Sequence, residues 1–213
     1  MFKITKLIHH RPDVDDDVRA RLADDLRHTV IKAGAHRALI QPTLPGVRNG
    51  GDLLAHLQFD AEDRWRAAEP AVDALLDPAA VDHVDGVEYR GEPRGQLGVG
   101  AEGGVYRTLL LRVDPGAADT VVERFEAELL RMPRHVPAIR AWQLSRVSRA
   151  EGASPWTHVW EQEFTDLQGL MGPYLAHPVH WAYIDRWFDP ECPDVIVRDR
   201  VCHSFCTLDG SAV

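Results

Sequence analysis

Cysteine is scarce: three residues, at 192, 202 and 206. An odd number crowded at one end does not make a disulfide framework, and a reducing cytoplasm is the compartment that fits. Lysine is equally rare, only Lys3, Lys6 and Lys32, and the formal net charge is −9. No basic cluster offsets that charge, which argues against nucleic acid or a membrane surface as the main partner. No apolar run approaches membrane-span length. The N-terminus, Met-Phe-Lys-Ile-Thr-Lys-Leu-Ile-His-His, alternates like a strand and lacks the apolar core and cleavage site of a signal peptide. There is no Gly-x-Ser-x-Gly elbow and no Walker loop, which counts against hydrolase and nucleotide readings. What remains is 213 residues, 45% hydrophobic, enough to bury a sizeable core as one large domain or two smaller ones.

Element patterns recur along the chain. Residues 3–10 read as a strand, and Asp15-Asp16-Asp17 opens a helix with the stripe Val18, Leu22, Leu26 and Val30. The three carboxylates suit the positive helix N-terminus better than a cation site. Strands follow at 36–41 and 53–59, then a helix over 60–76 broken by Pro70, and a strand at 84–89. Residues 91–104 are glycine-rich and read as a linker. They contain Gly98-x-Gly100-x-x-Gly103, but a dinucleotide site needs that motif between a strand and a helix, whereas here a strand follows. The order then repeats: a strand over 105–113, a helix over 115–132, strands at 139–147 and 156–164, a helical stretch over 165–188 and a final strand over 195–205.

A slide of about a hundred residues sets Leu7-Ile8 on Leu110-Leu111, Val18 on Val121 and Arg37-Ala38 on Arg140-Ala141; with a small gap Phe59 falls on Phe164. Internal duplication accounts for this. The expected fold is α+β: two tandem ferredoxin-like (βαββαβ) repeats forming an intramolecular dimeric α/β barrel. Residues 1–90 are a degenerate repeat, 91–104 the linker and 105–208 the repeat that carries the site. Each sheet has a face its helices leave bare, and the two bare faces bury one another.

The chemistry gathers in Pro173–Phe188, which holds two histidines, two tyrosines and two tryptophans. Thr165 with Gln168 reads as a capping box, and Pro178 suits the first turn of a second helix. Tyr174 and His180 then point inward, where each needs a polar partner. His177, just before Pro178, reads as a turn organiser. On the strand 156–164, His158, Trp160 and Gln162 face one way and Val159, Glu161 and Glu163 the other, with parity alone unable to say which set meets the helices. Cys202 and Cys206 share a strand face that His203 opposes, so they do not converge on a zinc ion.

Trp156-Thr-His-Val-Trp-Glu-Gln-Glu-Phe-Thr-Asp-Leu, then Tyr174-Leu-Ala-His-Pro-Val-His, resembles the stress-responsive A/B barrel family of the dimeric α/β-barrel superfamily. The resemblance covers most of 105–206; residues 3–89 share it only in pattern. It implies a small ligand-binding stress protein or a polyketide cyclase, and the wider superfamily adds cofactor-free monooxygenases and haem proteins. In cyclase members a tyrosine and the second histidine of His-Pro-x-His form an acid/base pair, which here is Tyr174 and His180. Where those members use a first-strand histidine, this sequence has Arg107 or its neighbour Tyr106. The histidine pair has no counterpart in the first half, so one working pocket is expected, in residues 105–206. Trp142, His158, Trp160, His177, Trp181 and His203 join Arg107 and Tyr106 as candidate substrate contacts. The expected occupant is a small hydrophobic or aromatic carbonyl compound, handled without a cofactor or metal. A non-catalytic ligand-binding barrel, a haem protein with His177, His180 or His203 as ligand, and a cofactor-free oxygenase stay open, as does pairing of two pseudo-dimers.

Overall fold

The computed structural model describes residues 1–95 and 104–208. The first repeat runs β1 (Phe2–His10), α1 (Asp16–Lys32), β2 (Arg37–Pro42), β3 (Leu53–Phe59), α2 (Glu62–Asp73), β4 (Val81–Arg90). The second runs β6 (Gly104–Val113), α3 (Asp119–Leu129), a short α4 (Met132–His135), β7 (Ile139–Glu151), β8 (His158–Phe164), α5 (Leu167–Gly169) with the irregular helical turns after it, and β9 (Val197–Leu208). Most of the expected linker, with its glycine motif, lies outside the described residues. Arg94–Gly95, within that linker, is instead a two-residue strand β5 paired with β7.

Strand order is β2-β3-β1-β4-β7-β8-β6-β9, so each repeat contributes the same four-strand order and β4 joins β7 by an antiparallel ladder. At the opposite seam the loop after β2 closes onto β9 through bridges Thr43–Cys206 and Arg48–His203. The turn Asn49-Gly50-Gly51 makes this closure: Asn49 and Gly51 take φ of 51° and 74°. A Cβ on Gly50 would stand 2.5 Å from the His203 carbonyl, so only glycine lets the backbones meet.

Alternation on the strands separates two apolar layers per repeat. Ile8 and Leu111 pack under their own helices, whereas Leu7 and Leu110 meet in the shared interior, as the hundred-residue slide requires. Leu22, Leu26 and Val30 bury the α1 stripe, and Asp15 caps it by accepting from the Val18 N–H at 2.8 Å. Pro70 does not break α2, which runs unbroken to Asp73 with Pro70 inside it. Pro70 is exposed; it costs the helix one N–H bond and crowds the carbonyl four residues back, and the buried stripe Trp65, Ala68 and Val72 holds the helix in spite of that.

The barrel interior also holds a polar hub built from both repeats. Lys3 Nζ donates to Gln143 at 2.6 Å and stands 3.6 Å from Glu161. Tyr106 donates to Glu161 at 3.0 Å, and His56 lies 3.5 Å from the same carboxylate. Thr5 ties His56 to Tyr89. Burial pushes the Glu161 carboxyl up and Lys3 opposes this. The proton-bound form is thus favoured on folding, and this group's contribution to stability falls as pH rises past the ordinary carboxylate range. Breaking a buried pair from one side costs about 3–5 kcal/mol. Lys3→Met should therefore lower the unfolding free energy by about that much, with Glu161→Gln added to it recovering part of the loss. Urea denaturation of both variants measures this, and a parental midpoint for Lys3→Met would show that the hub contributes nothing.

Candidate active site

The pocket lies between the second repeat's sheet and its helical cover, not in the barrel interior. On β6, Arg107 faces the cover; on β8, Trp160 and Gln162 do. This resolves the parity of β8: Val159 and Glu161 look into the barrel. The cavity measures about 250 Å³, and Arg107, Trp160, Tyr174, His180, Asp185 and His203 line it with apolar neighbours that include Leu109, Leu129 and Phe188.

The cover departs from a regular helix. Asp166, not Thr165, caps its start, accepting from the Gly169 N–H at 2.6 Å; Thr165 directly follows β8, and its N–H donates to the Ala138 carbonyl. After α5 the backbone widens into a π turn over Leu170–Tyr174, which contains Pro173. A second helical segment opens at Pro178, as expected. His177 Nδ1 accepts the Val179 N–H at 3.1 Å and so caps that turn. His180–Ile184 is again a π turn, with the Asp185 N–H closing onto the His180 carbonyl. A π turn closes i→i+5, and this sets Asp185 Oδ1 3.3 Å from His180 Nδ1. In an ordinary α-helix, residues five apart do not face each other. The last turn is pinned to α3 by Glu128, which accepts from Trp187 Nε1 at 2.8 Å and from Arg186 at 2.6 Å.

Tyr174 is buried, and its ring meets the His180 ring edge-on, with centroids 4.9 Å apart. The Arg107 guanidinium stands 5.2 Å over the Tyr174 ring. Burial lifts the Tyr174 phenol above its usual range, while Arg107 and a hydrogen bond from Trp160 hold it back. Arg107 is itself buried, donates to Gln162 at 2.5 Å, and keeps Nε without a hydrogen-bond partner. Burial pushes the His203 imidazole down to about 3, with Arg107 and His180 adding to the effect. It is therefore neutral at physiological pH, and its buried Nε2 has no hydrogen-bond partner. The Asp185 carboxylate favours the His180 proton on Nδ1, which leaves Nε2 as the basic nitrogen. Together these groups offer a base, a polarising phenol, a fixed cation and a neutral acceptor around one apolar space.

Tyr174, His180, Arg107, Trp160 and His203 thus meet in one place. The other sequence candidates do not. Tyr106 is on the opposite face of β6 and belongs to the Glu161 hub. His158 is held by Glu126 at 3.0 Å and Thr157 at 2.8 Å, beneath α3 and away from the cavity. Trp142 packs on the core edge beside Gly95. Trp181 is exposed and is not among the residues that line the cavity. His177 spends its Nδ1 on the helix cap.

Nothing in local spacing singles out Asp185, because its alignment with His180 exists only in the π turn. Arg48 was also missed: it comes from the first repeat, carried onto the cavity by the closing loop, so the pocket is not confined to residues 105–206. The cavity is smaller than the ~300–1,000 Å³ of pockets for drug-sized ligands, so a haem would need it to widen.

The Stress responsive A/B Barrel Domain family matches residues 105–202. No curated protein matches the chain in sequence. Three solved structures share its fold over nearly its whole length. One is an anthrone oxidase-like protein, 11% identical, covering 97% of this chain and 90% of its own, with a TM-score of 0.67. The second is a putative monooxygenase from Fusobacterium nucleatum, 8% identical, covering 99% and 94%, TM-score 0.63. The third is a mutant chlorite dismutase from Candidatus Nitrospira defluvii, 9% identical, covering 97% and 91%, TM-score 0.58. Residues 105–202 thus match the stress responsive A/B barrel domain family, and the chain as a whole shares the fold of these solved structures.

Proposed function

We propose that the chain is an acid–base enzyme of cyclase or lyase type that acts on a small hydrophobic carbonyl compound without a cofactor. The observation that carries this reading is the placement of Tyr174 and His180 on one wall of the cavity, with Asp185 behind the imidazole and Arg107 over the phenol. His180 Nε2 takes a proton from the carbon next to a carbonyl. The Tyr174 phenol donates to that carbonyl oxygen, and Arg107 balances the negative charge that develops there. Neutral His203 accepts a hydrogen bond from a substrate hydroxyl. The cavity is somewhat larger than the ~150 Å³ that holds benzene, which suits a single ring with a short side chain. Arg48 at the mouth favours a substrate bearing a carboxylate or enolate.

Linear aryl and alkyl β-polyketones, offered as free acids, are the probes. The wild-type chain should convert one of them to a ring-closed or water-eliminated product seen by mass spectrometry. His180→Ala and Tyr174→Phe should lower kcat by ~10²–10⁴ while melting as the parent does, the usual range for losing a positioned acid or base. Full turnover in His180→Ala would overturn the assignment. A carbanion formed by the same base can react with oxygen instead of closing a ring, so oxygen uptake with phenolic probes distinguishes the oxygenase reading. Saturable binding without turnover of any probe would favour the non-catalytic barrel.

A second prediction concerns His203. Its folded imidazole stays neutral, while the unfolded one takes up a proton below its ordinary value of 6.5. Stability should therefore fall as pH drops from 6.5 towards about 3. His203→Asn should flatten that slope, as read by denaturation midpoints across the range. An unchanged slope would show that His203 titrates normally.

A further inference from the structure

At the rim of the barrel interior, well apart from the pocket floor, His9, His83 and Asp85 bring one ligand atom each to within 4.8 Å of one another. The strand register builds this cluster: His9 on β1 is directly opposite His83 on β4, and Asp85 is two residues further along the same face. His9 Nε2 is 3.7 Å and His83 Nε2 3.9 Å from Asp85 Oδ2.

Those separations are too long for hydrogen bonds. They are close to the ~3.3–3.5 Å edges of a tetrahedral site with bonds of about 2.0–2.2 Å, so an ion would draw the atoms in by a few tenths of an ångström. The outer partners also suit a metal. Asp82 Oδ2 is 2.7 Å from His83 Nδ1, which places the proton there and leaves Nε2 as a lone pair. The Ala153 N–H donates to Asp85 Oδ1 at 2.7 Å, so Oδ2 is the oxygen that faces the imidazoles. A lone pair directed at a buried carboxylate is unfavourable unless a proton or a cation lies between them. The Cys202 thiol, from β9 of the second repeat, donates to the same Oδ2 at 3.5 Å, a weak bond that places the second repeat beside the site. The two imidazoles stand stacked, 3.9 Å between centroids, so binding must tilt one. His83, 38% exposed, has the room to turn, and this edge gives an ion its way in, while Asp85 is fully buried.

We infer that His9, His83 and Asp85 form a binding site for a divalent transition metal of zinc type, at the junction of the two repeats and separate from the Tyr174–His180 pocket. Imidazole and carboxylate ligands select zinc or cobalt over magnesium. The test is titration of tag-free, chelator-treated full-length protein with Zn²⁺, Co²⁺ and Mg²⁺ by calorimetry. One Zn²⁺ or Co²⁺ per chain and no Mg²⁺ is expected, with Co²⁺ giving the visible absorption of a four- or five-coordinate ion. His83→Ala and Asp85→Asn should each weaken Zn²⁺ at least tenfold. His28→Ala, at an exposed histidine on α1, should not. Circular dichroism reports whether each variant is folded, and His83→Ala, at the exposed rim, stays informative if Asp85→Asn does not fold. Absence of stoichiometric Zn²⁺ binding, or parental affinity in folded His83→Ala, would overturn the inference.

Discussion

Two sheets with bare faces must cover one another, and the rest of the molecule follows from that constraint. Leu7, Leu54, Leu110 and Val159 supply the apolar part of the cover. The fully enclosed Lys3–Glu161 pair and its tyrosine and histidine neighbours supply a polar part that fits in one register only. The cavity lined by Arg107 and Trp160 is on the other side of the second sheet, beneath a helical cover that does not lie flat. Arg107 and Tyr106 are adjacent in sequence yet belong to different worlds, one facing the cavity and the other the hub.

The cover makes the difference between the repeats. In the first repeat α2 is a regular helix that packs Trp65, Ala68 and Val72 against its sheet. In the second, the corresponding region is cut into short segments with two π turns. Widened turns are poorer helices, and they recur at functional sites because they re-aim side chains. Here one of them carries His180 and sets Asp185 behind it. Glu128 offsets part of that cost by holding Arg186 and Trp187 at the end of the cover.

Much of the architecture was legible in the residues. Period-two alternation located the strands, and Leu7-Ile8 against Leu110-Leu111 exposed the duplication, because equal burial demands equal pattern. Tyr174 and His180 could be paired from their place on apolar helical faces. The failures have physical causes. Pro70 was read as a break, but the burial of Trp65, Ala68 and Val72 on either side of it outweighs its local cost. Trp142, Trp181 and His158 were drawn to the pocket by residue type, whereas their positions are set by packing, by exposure and by Glu126. Asp185 depends on a helix of unusual pitch, and Arg48 and the His9–His83–Asp85 cluster depend on pairings between distant segments. None of these leaves a trace in local spacing.

The loop that carries Arg48 lies flat on β9, with Gly50 against the His203 carbonyl. One lip of the cavity thus comes from the first repeat. An occupant that reached Arg48 as well as Arg107 would span the join of the two repeats, and the halves would then come apart less readily when the cavity is full.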